Sequence, residues 1–405
     1  MIFNQYERDL MAIMNSIFGK HPDNAPGEYD SFPALFKLAD QQKLLPFIFE
    51  HLRRLPVAGE DAELFAITKK QVIAQVVGQT VRSAEFASVY RALREAGLHP
   101  IMIKGQLCDR LYPLRDHRIS ADDDMLISDD EFFACHKLLL SLGLTTDTPD
   151  DSLATADEVS YRKAGTPLYI ELHRRLFDSS EDAHDDLNSF FANARERAVE
   201  ADGFLSLPPH EHLLYLILHA YKHFVACGIG LRQFCDIGLW AKNYFDEIDW
   251  PLLRFQCAEV HAATFADAAF KIARDVLGID FALSDPWGAD IDVEPLLHDT
   301  LSGGIFGSND YTRLHSSTVT LNAVRSNRRG KKSGLLRSVF PPRRYLEGRY
   351  QYLKRHHWLL PVAWMQRICH YAGEKRSGKK DNSASGSIKL GHERIELMRM
   401  YDIIE

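Results

Sequence analysis

The stretch that most constrains this chain is residues 100–127, PIMIKGQLCDRLYPLRDHRISADDDMLI. An apolar run, Ile101 to Ile103, breaks at Lys104-Gly105-Gln106, and further on Asp122, Asp123 and Asp124 run directly into Met125-Leu126-Ile127. Three adjacent carboxylates repel one another, so a cation has to compensate them. If 123–127 is a strand, side-chain alternation sends Asp122 and Asp124 to one face and Asp123 to the other. Two convergent acids have the geometry that holds Mg²⁺ through carboxylate oxygens while the phosphates of a nucleotide complete the shell. A solvated acidic turn is the plainer alternative for such a triplet.

Around this stretch the pattern alternates between helical and strand-like segments. Residues 1–98 have apolar spacing of helical period throughout, with a long helix or kinked pair over 62–96 and a stop at Gly97. They carry no concentrated chemistry and form a scaffold that packs on the core and roofs the cleft. The spacing predicts a strand over 99–103, a short helix over 104–111 whose free amides at Gly105 offer a phosphate site, and a second strand over 123–127. Ser128 and Glu131 have the spacing of a capping box, starting a helix that stops at Gly143. A hairpin follows over 158–163 and 167–173, turned at Ala164-Gly165. In its second strand Glu171 stands between Ile170 and Leu172, where an acid is costly to bury without a partner, and His173 shares its face. From Pro208 the chain is helical again. His219 and His223 share one helix face with no third zinc ligand at a familiar spacing. Arg232 and Asp236 can pair on the next helix. Further helices are predicted over 252–260, 265–277, 295–301 and 388–404.

At 405 residues the chain is long enough for several domains, and its 45% apolar and 26% charged content is ordinary for a soluble protein. It has no apolar run of membrane-spanning length and no signal-peptide pattern at its start, which makes the cytoplasm the expected location. The six cysteines form no C-x-x-C pair and read as reduced, buried thiols. Net charge is −8, but residues 325–380 hold sixteen Lys and Arg against Glu347 and Glu374, a net of +14 that leaves −22 on the remainder. This basic segment suggests an anionic partner, or a tail folded onto the acidic region.

Ile103-Lys104-Gly105, followed by Arg118-Ile119-Ser120-Ala121-Asp122-Asp123-Asp124-Met125-Leu126, resembles the DNA polymerase β-like nucleotidyltransferase superfamily. Within it, the chain is most similar to an uncharacterised bacterial nucleotidyltransferase family with a Leu-Lys-Gly strand and an Arg-Pro-Met-x-Asp-Ile-Asp-Leu-Leu-like segment. A Glu-Leu-His segment (171–173), a His-x-x-Lys-His motif (219–223) and a Leu-Arg-x-x-Cys-Asp motif (231–236) extend the resemblance over most of 32–371. Two departures stand out: Gln106 replaces a small residue, and Asp123 replaces the apolar residue between the two acids, leaving open which acids bind metal.

The resemblance implies an α+β fold, a small mixed-sheet nucleotidyltransferase core flanked by N-terminal and C-terminal helical regions. The expected division is a helical region at 1–98, the core at 99–200, a helical domain closing the cleft at 201–310 and a basic segment, partly disordered, at 311–405. It implies transfer of a nucleoside monophosphate from a nucleoside triphosphate to a hydroxyl on a small molecule, sugar, protein or RNA. In that reading Asp122, Asp124 and Glu171 are the catalytic acids and the ligands of Mg²⁺ or Mn²⁺. Lys104, Gly105, Gln106, Arg118, His173, Lys222 and Arg232 face the nucleotide and its phosphates. Salt bridging is the competing role for Lys222 and Arg232, and backbone hydrogen bonding for His173. The alternative function is a catalytically degenerate module that binds nucleotide or, through the basic segment, nucleic acid.

Overall fold

Short apolar strands that bury one face and present acids on the other assemble into one seven-stranded mixed sheet: β1 (Ile101–Met102), β2 (Asp123–Leu126), β3 (Leu144–Thr145), β4 (Glu158–Lys163), β5 (Tyr169–His173), β6 (Val199–Ala201) and β7 (Phe204–Ser206). Their order is β3-β4-β5-β2-β1-β7-β6. β2 runs parallel to β5 and β1 parallel to β7, and the other neighbours are antiparallel. The computed structural model describes residues 3–19, 28–177, 185–226, 228–283, 287, 291–303, 320, 324, 343, 350, 352–366 and 384–404. Most of the basic segment 325–380, including the linker expected at 325–334, lies outside the described residues.

The helices are α1 (Gln5–Phe18), α2 (Phe32–Gln41), α3 (Leu45–Leu52), α4 (Glu60–Glu95), α5 (Gln106–Asp109), α6 (Asp129–Ser141), α7 (Ala194–Arg197), α8 (Pro209–Ala226), α9 (Leu231–Asn243), α10 (Trp250–Glu259), α11 (Ala263–Lys271) and α12 (Glu294–Gly303). A helix over 384–400 follows. The architecture is α+β, as the sequence predicts. No helix of the described residues is long and apolar enough to cross a membrane. Cys108, Cys135, Cys235 and Cys257 are buried free thiols.

Alternation along the central strands sets the two faces of the sheet. Val159, Tyr161, Met125, Ile170 and Leu172 are fully buried. Tyr161 meets His136 of α6, its hydroxyl 2.8 Å from Nδ1. The opposite face carries Asp124 of β2 and, on β5, Glu171 and His173. Helix α4 begins with Glu60, Asp61 and Glu63, acids suited to the positive end of a helix. Its second half is pinned to the sheet by Tyr90, whose hydroxyl donates to the Pro100 carbonyl (2.9 Å) and accepts from the Leu205 amide (2.7 Å).

Two expectations change. The capping box at Ser128 does not form: Ser128 caps α6 without a side-chain bond, because Glu131 is drawn instead to the His99 amide and imidazole, both at 2.8 Å, and to Arg195. The N-terminal helices do not roof the cleft. Gln42 of this region donates to the Thr300 carbonyl and accepts from the Leu231 amide, and Asn15 donates to the Val276 carbonyl. So α1 and the end of α2 brace the later helices, α4 packs on the sheet, and α8 covers the acidic face.

The segment leading into β2 is held from three directions. Arg82 of α4 donates to the carbonyl and hydroxyl of Ser120, and Gln79 accepts from its amide at 3.1 Å. Arg232 of α9 donates to the Ile119 carbonyl. Arg118 donates from Nε and Nη2 to the two oxygens of Asp236, both at 2.8 Å, and from Nη1 to Asp109 at 2.6 Å.

Asp123 points to the α4 side, where Arg82 Nε lies 3.2 Å from its Oδ2. Burial outweighs that cation and pushes its pKa up to about 7. Gly105 has φ +61, and a Cβ there would meet Asp123 Oδ1 at 2.6 Å, so a glycine is required at this turn. Since Asp123 is half-neutral near pH 7 and shares no face with Asp124, Asp123→Asn is expected to lower stability by only about 1–3 kcal/mol. Any transfer activity should stay within a few-fold, as urea denaturation and a parallel assay would show.

Candidate active site

β2 and β5 pair in a parallel register that sets Asp124 beside Glu171, and β4 adds Glu158 beside His173. The β1–β2 ladder continues through the Ile103 amide to the Asp124 carbonyl (3.3 Å), so Lys104 leaves the sheet next to Asp124. Its Nζ lies 3.0 Å from Asp124 Oδ2. His173 Nε2 lies 3.2 Å from Asp124 Oδ1 and 3.7 Å from Glu171 Oε2. Asp124, Glu171 and His173 each offer a ligand atom, and these atoms lie within 4.8 Å of one another. They line a cavity of about 250 Å³ with Lys104, Asp122 and Glu158. Helix α8 closes it with Tyr215, His219, Lys222 and His223.

The charges are tightly interlocked. Burial would raise the Asp124 carboxyl, but Lys104 and hydrogen bonding to His173 reverse this and hold it well below the usual range. Burial opposes charge on His173, yet its bonds to Asp124 and Glu171 prevail and lift its pKa to about 9. Burial raises Glu171, only partly offset by its bond to His173. Lys104 stays protonated, its burial outweighed by Asp124 and its other anionic neighbours. Burial and the nearby Lys104 drive His219 well down, so it is neutral and can accept from Lys104 at 3.1 Å. His223 Nε2 lies 3.1 Å from His219 Nε2, the nitrogen that meets Lys104.

Of the residues singled out in the sequence, the cavity gathers Asp122, Asp124, Glu171, Lys104, His173 and Lys222. It does not include Gly105, Gln106, Arg118 or Arg232. Gln106 donates to the Ser83 carbonyl at 2.8 Å. Arg118, 2% exposed, spends its guanidinium on Asp109 and Asp236. Arg232 holds the Ile119 carbonyl, and its expected partner Asp236 belongs to Arg118 instead. Sequence reasoning gave no role to Glu158 or Tyr215. The i, i+3, i+4 spacing of His219, Lys222 and His223 was the signal for a shared helix face at the site, whereas Glu158 depends on hairpin register.

A mixed sheet presenting clustered acids beside two buried cations, under a helical cover, is an arrangement that can take a divalent cation and, through it, an anionic group. The chain belongs to the family described as uncharacterised nucleotidyltransferase, whose model matches residues 30–278. No curated protein and no solved structure matches it. Membership supports nucleotidyl transfer as the general activity and a nucleoside triphosphate as the substrate class.

Proposed function

We propose that the protein moves a nucleoside monophosphate from a nucleoside triphosphate to an acceptor hydroxyl, releasing pyrophosphate. The observation that carries this reading is the convergence of Asp124, Glu171 and His173 within 4.8 Å in a cavity that also holds Asp122, Lys104 and Lys222. The donor set fits a hard divalent cation, because Asp124 Oδ2, though close to Lys104, has no aligned hydrogen bond and remains a candidate ligand atom. Mg²⁺ or Mn²⁺ held by Asp122, Asp124 and Glu171, as one ion or two, would neutralise phosphate charge and lower the pKa of the attacking hydroxyl.

The chain's own groups do the remaining work. His173 Nε2, 3.2 Å from Asp124 Oδ1, is placed to fix that oxygen by hydrogen bonding. Glu171 has the alternative role of taking the proton of the acceptor hydroxyl where it does not ligate the ion. Lys104 and Lys222 both line the cavity and hold phosphate oxygens. A cavity of about 250 Å³ lies below the usual range for a whole ligand, so it takes the reacting phosphates and leaves the base near its mouth. Arg118 and Arg232 fix the approach to β2, Gly105 leaves room for Asp123, and Gln106 ties α5 to the Ser83 carbonyl of α4.

Incubation with each α-labelled triphosphate, Mg²⁺ or Mn²⁺ and candidate hydroxyl acceptors tests the reading, with pyrophosphate release measured alongside. Label on an acceptor is the expected result. Release of no pyrophosphate with any triphosphate, cation and acceptor extract would sink it. Lys222→Met is expected to raise KM for the triphosphate about tenfold with kcat within a few-fold, since one charge-assisted contact is lost.

A further inference from the structure

We propose that a second cavity, between α4, α5 and the β6–β7 turn, binds a phosphate-bearing ligand of nucleotide size. Its volume is about 610 Å³, against about 250 Å³ for the acidic cavity. The two are separated by the β1–α5 turn: Lys104 lines one and Gln106 the other. Four arginines, Arg91, Arg94, Arg110 and Arg115, border the larger cavity.

The way these arginines are partnered points to an anion. Arg110, with a side chain 9% exposed, is anchored by Nε to the Leu107 carbonyl at 3.2 Å and meets Asp202 through Nη1. Arg94 meets Glu200 at 3.0 Å. Both carboxylates come from the β6–β7 hairpin and are well exposed, 68% for Asp202 and 60% for Glu200. Such pairs contribute little to stability and are readily displaced. Arg94 Nη1 and Arg110 Nη2 remain buried without an acceptor. Asp109 is committed to Arg118 and Gln79, which leaves exposed Asp116 as the other acid of the lining. A planar guanidinium grips a phosphate through two parallel N–H groups, which a hairpin carboxylate held by one arm does not match. Phosphate oxygens would therefore displace Glu200 and Asp202, with Phe204 as an apolar wall for the rest of the ligand.

The test is calorimetric titration of the full chain at low ionic strength without divalent cations, using inorganic phosphate and a nucleoside 5′-monophosphate as probes. Arg94→Gln and Arg110→Gln are each expected to weaken nucleotide binding at least about tenfold. Lys242→Gln, exposed on α9 and in the lining of neither cavity, should leave it unchanged. Because Arg110 is buried, the exposed pair Arg91→Gln and Arg115→Gln provides a second measure, weakening binding with no change in melting temperature. The proposal is overturned by no binding to the wild type, by binding in Arg94→Gln and Arg110→Gln equal to that of the wild type, or by equal loss of binding in Lys242→Gln. Equal affinity for inorganic phosphate and the nucleotide overturns the assigned size.

Discussion

Asp124→Asn is expected to lower any nucleotidyl transfer by about 10³-fold or more, the scale of removing a central electrostatic group from a closed site. Asp124 is 2% exposed and is the meeting point of Lys104 and His173. The amide keeps the shape and removes the charge that a divalent cation needs. It also leaves two buried cations with weaker compensation, so the melting temperature should fall with the rate, by the equivalent of about 1–3 kcal/mol. Pyrophosphate release and a thermal melt on the same preparation read both effects. Retained turnover in this variant would falsify the catalytic assignment.

The second large effect is expected away from the cavity. Arg118→Met removes the cation between Asp109 and Asp236, leaving two buried carboxylates facing each other, at a cost of about 3–5 kcal/mol. Asp236 also accepts from the Tyr112 hydroxyl at 2.7 Å, so the damage spreads into the packing of α9. Urea denaturation measures the loss. A variant that kept full stability but bound triphosphate weakly would instead return Arg118 to the phosphate-binding role that its motif implied.

The contrast between these two residues shows what the sequence made legible. Alternation through Asp122-Asp123-Asp124 and Glu171-Leu172-His173 could be read locally, because strand geometry fixes which side chains share a face. Arg118 could not be read that way. Its partners lie 9 and 118 positions away, and an arginine ahead of paired acids looks the same whether it meets a phosphate or a buried carboxylate. The strands β3, β6 and β7 escaped notice because two or three residues are too few to establish a period. The capping box at Ser128 failed for a related reason: Glu131 had a better partner in His99, which only the tertiary fold supplies.

The parallel register that sets Asp124 beside Glu171 also restricts how the gene can vary. Adding or losing one codon in the β4–β5 turn would slide β5 by one position and rotate Glu171 and His173 to the far side of the sheet, with Ile170 and Leu172 taking their places. The loop between β3 and β4, residues 146–157, is long enough for its exposed part to change length while β3 keeps its pairing with β4, so changes in this part of the chain can accumulate there without moving β5.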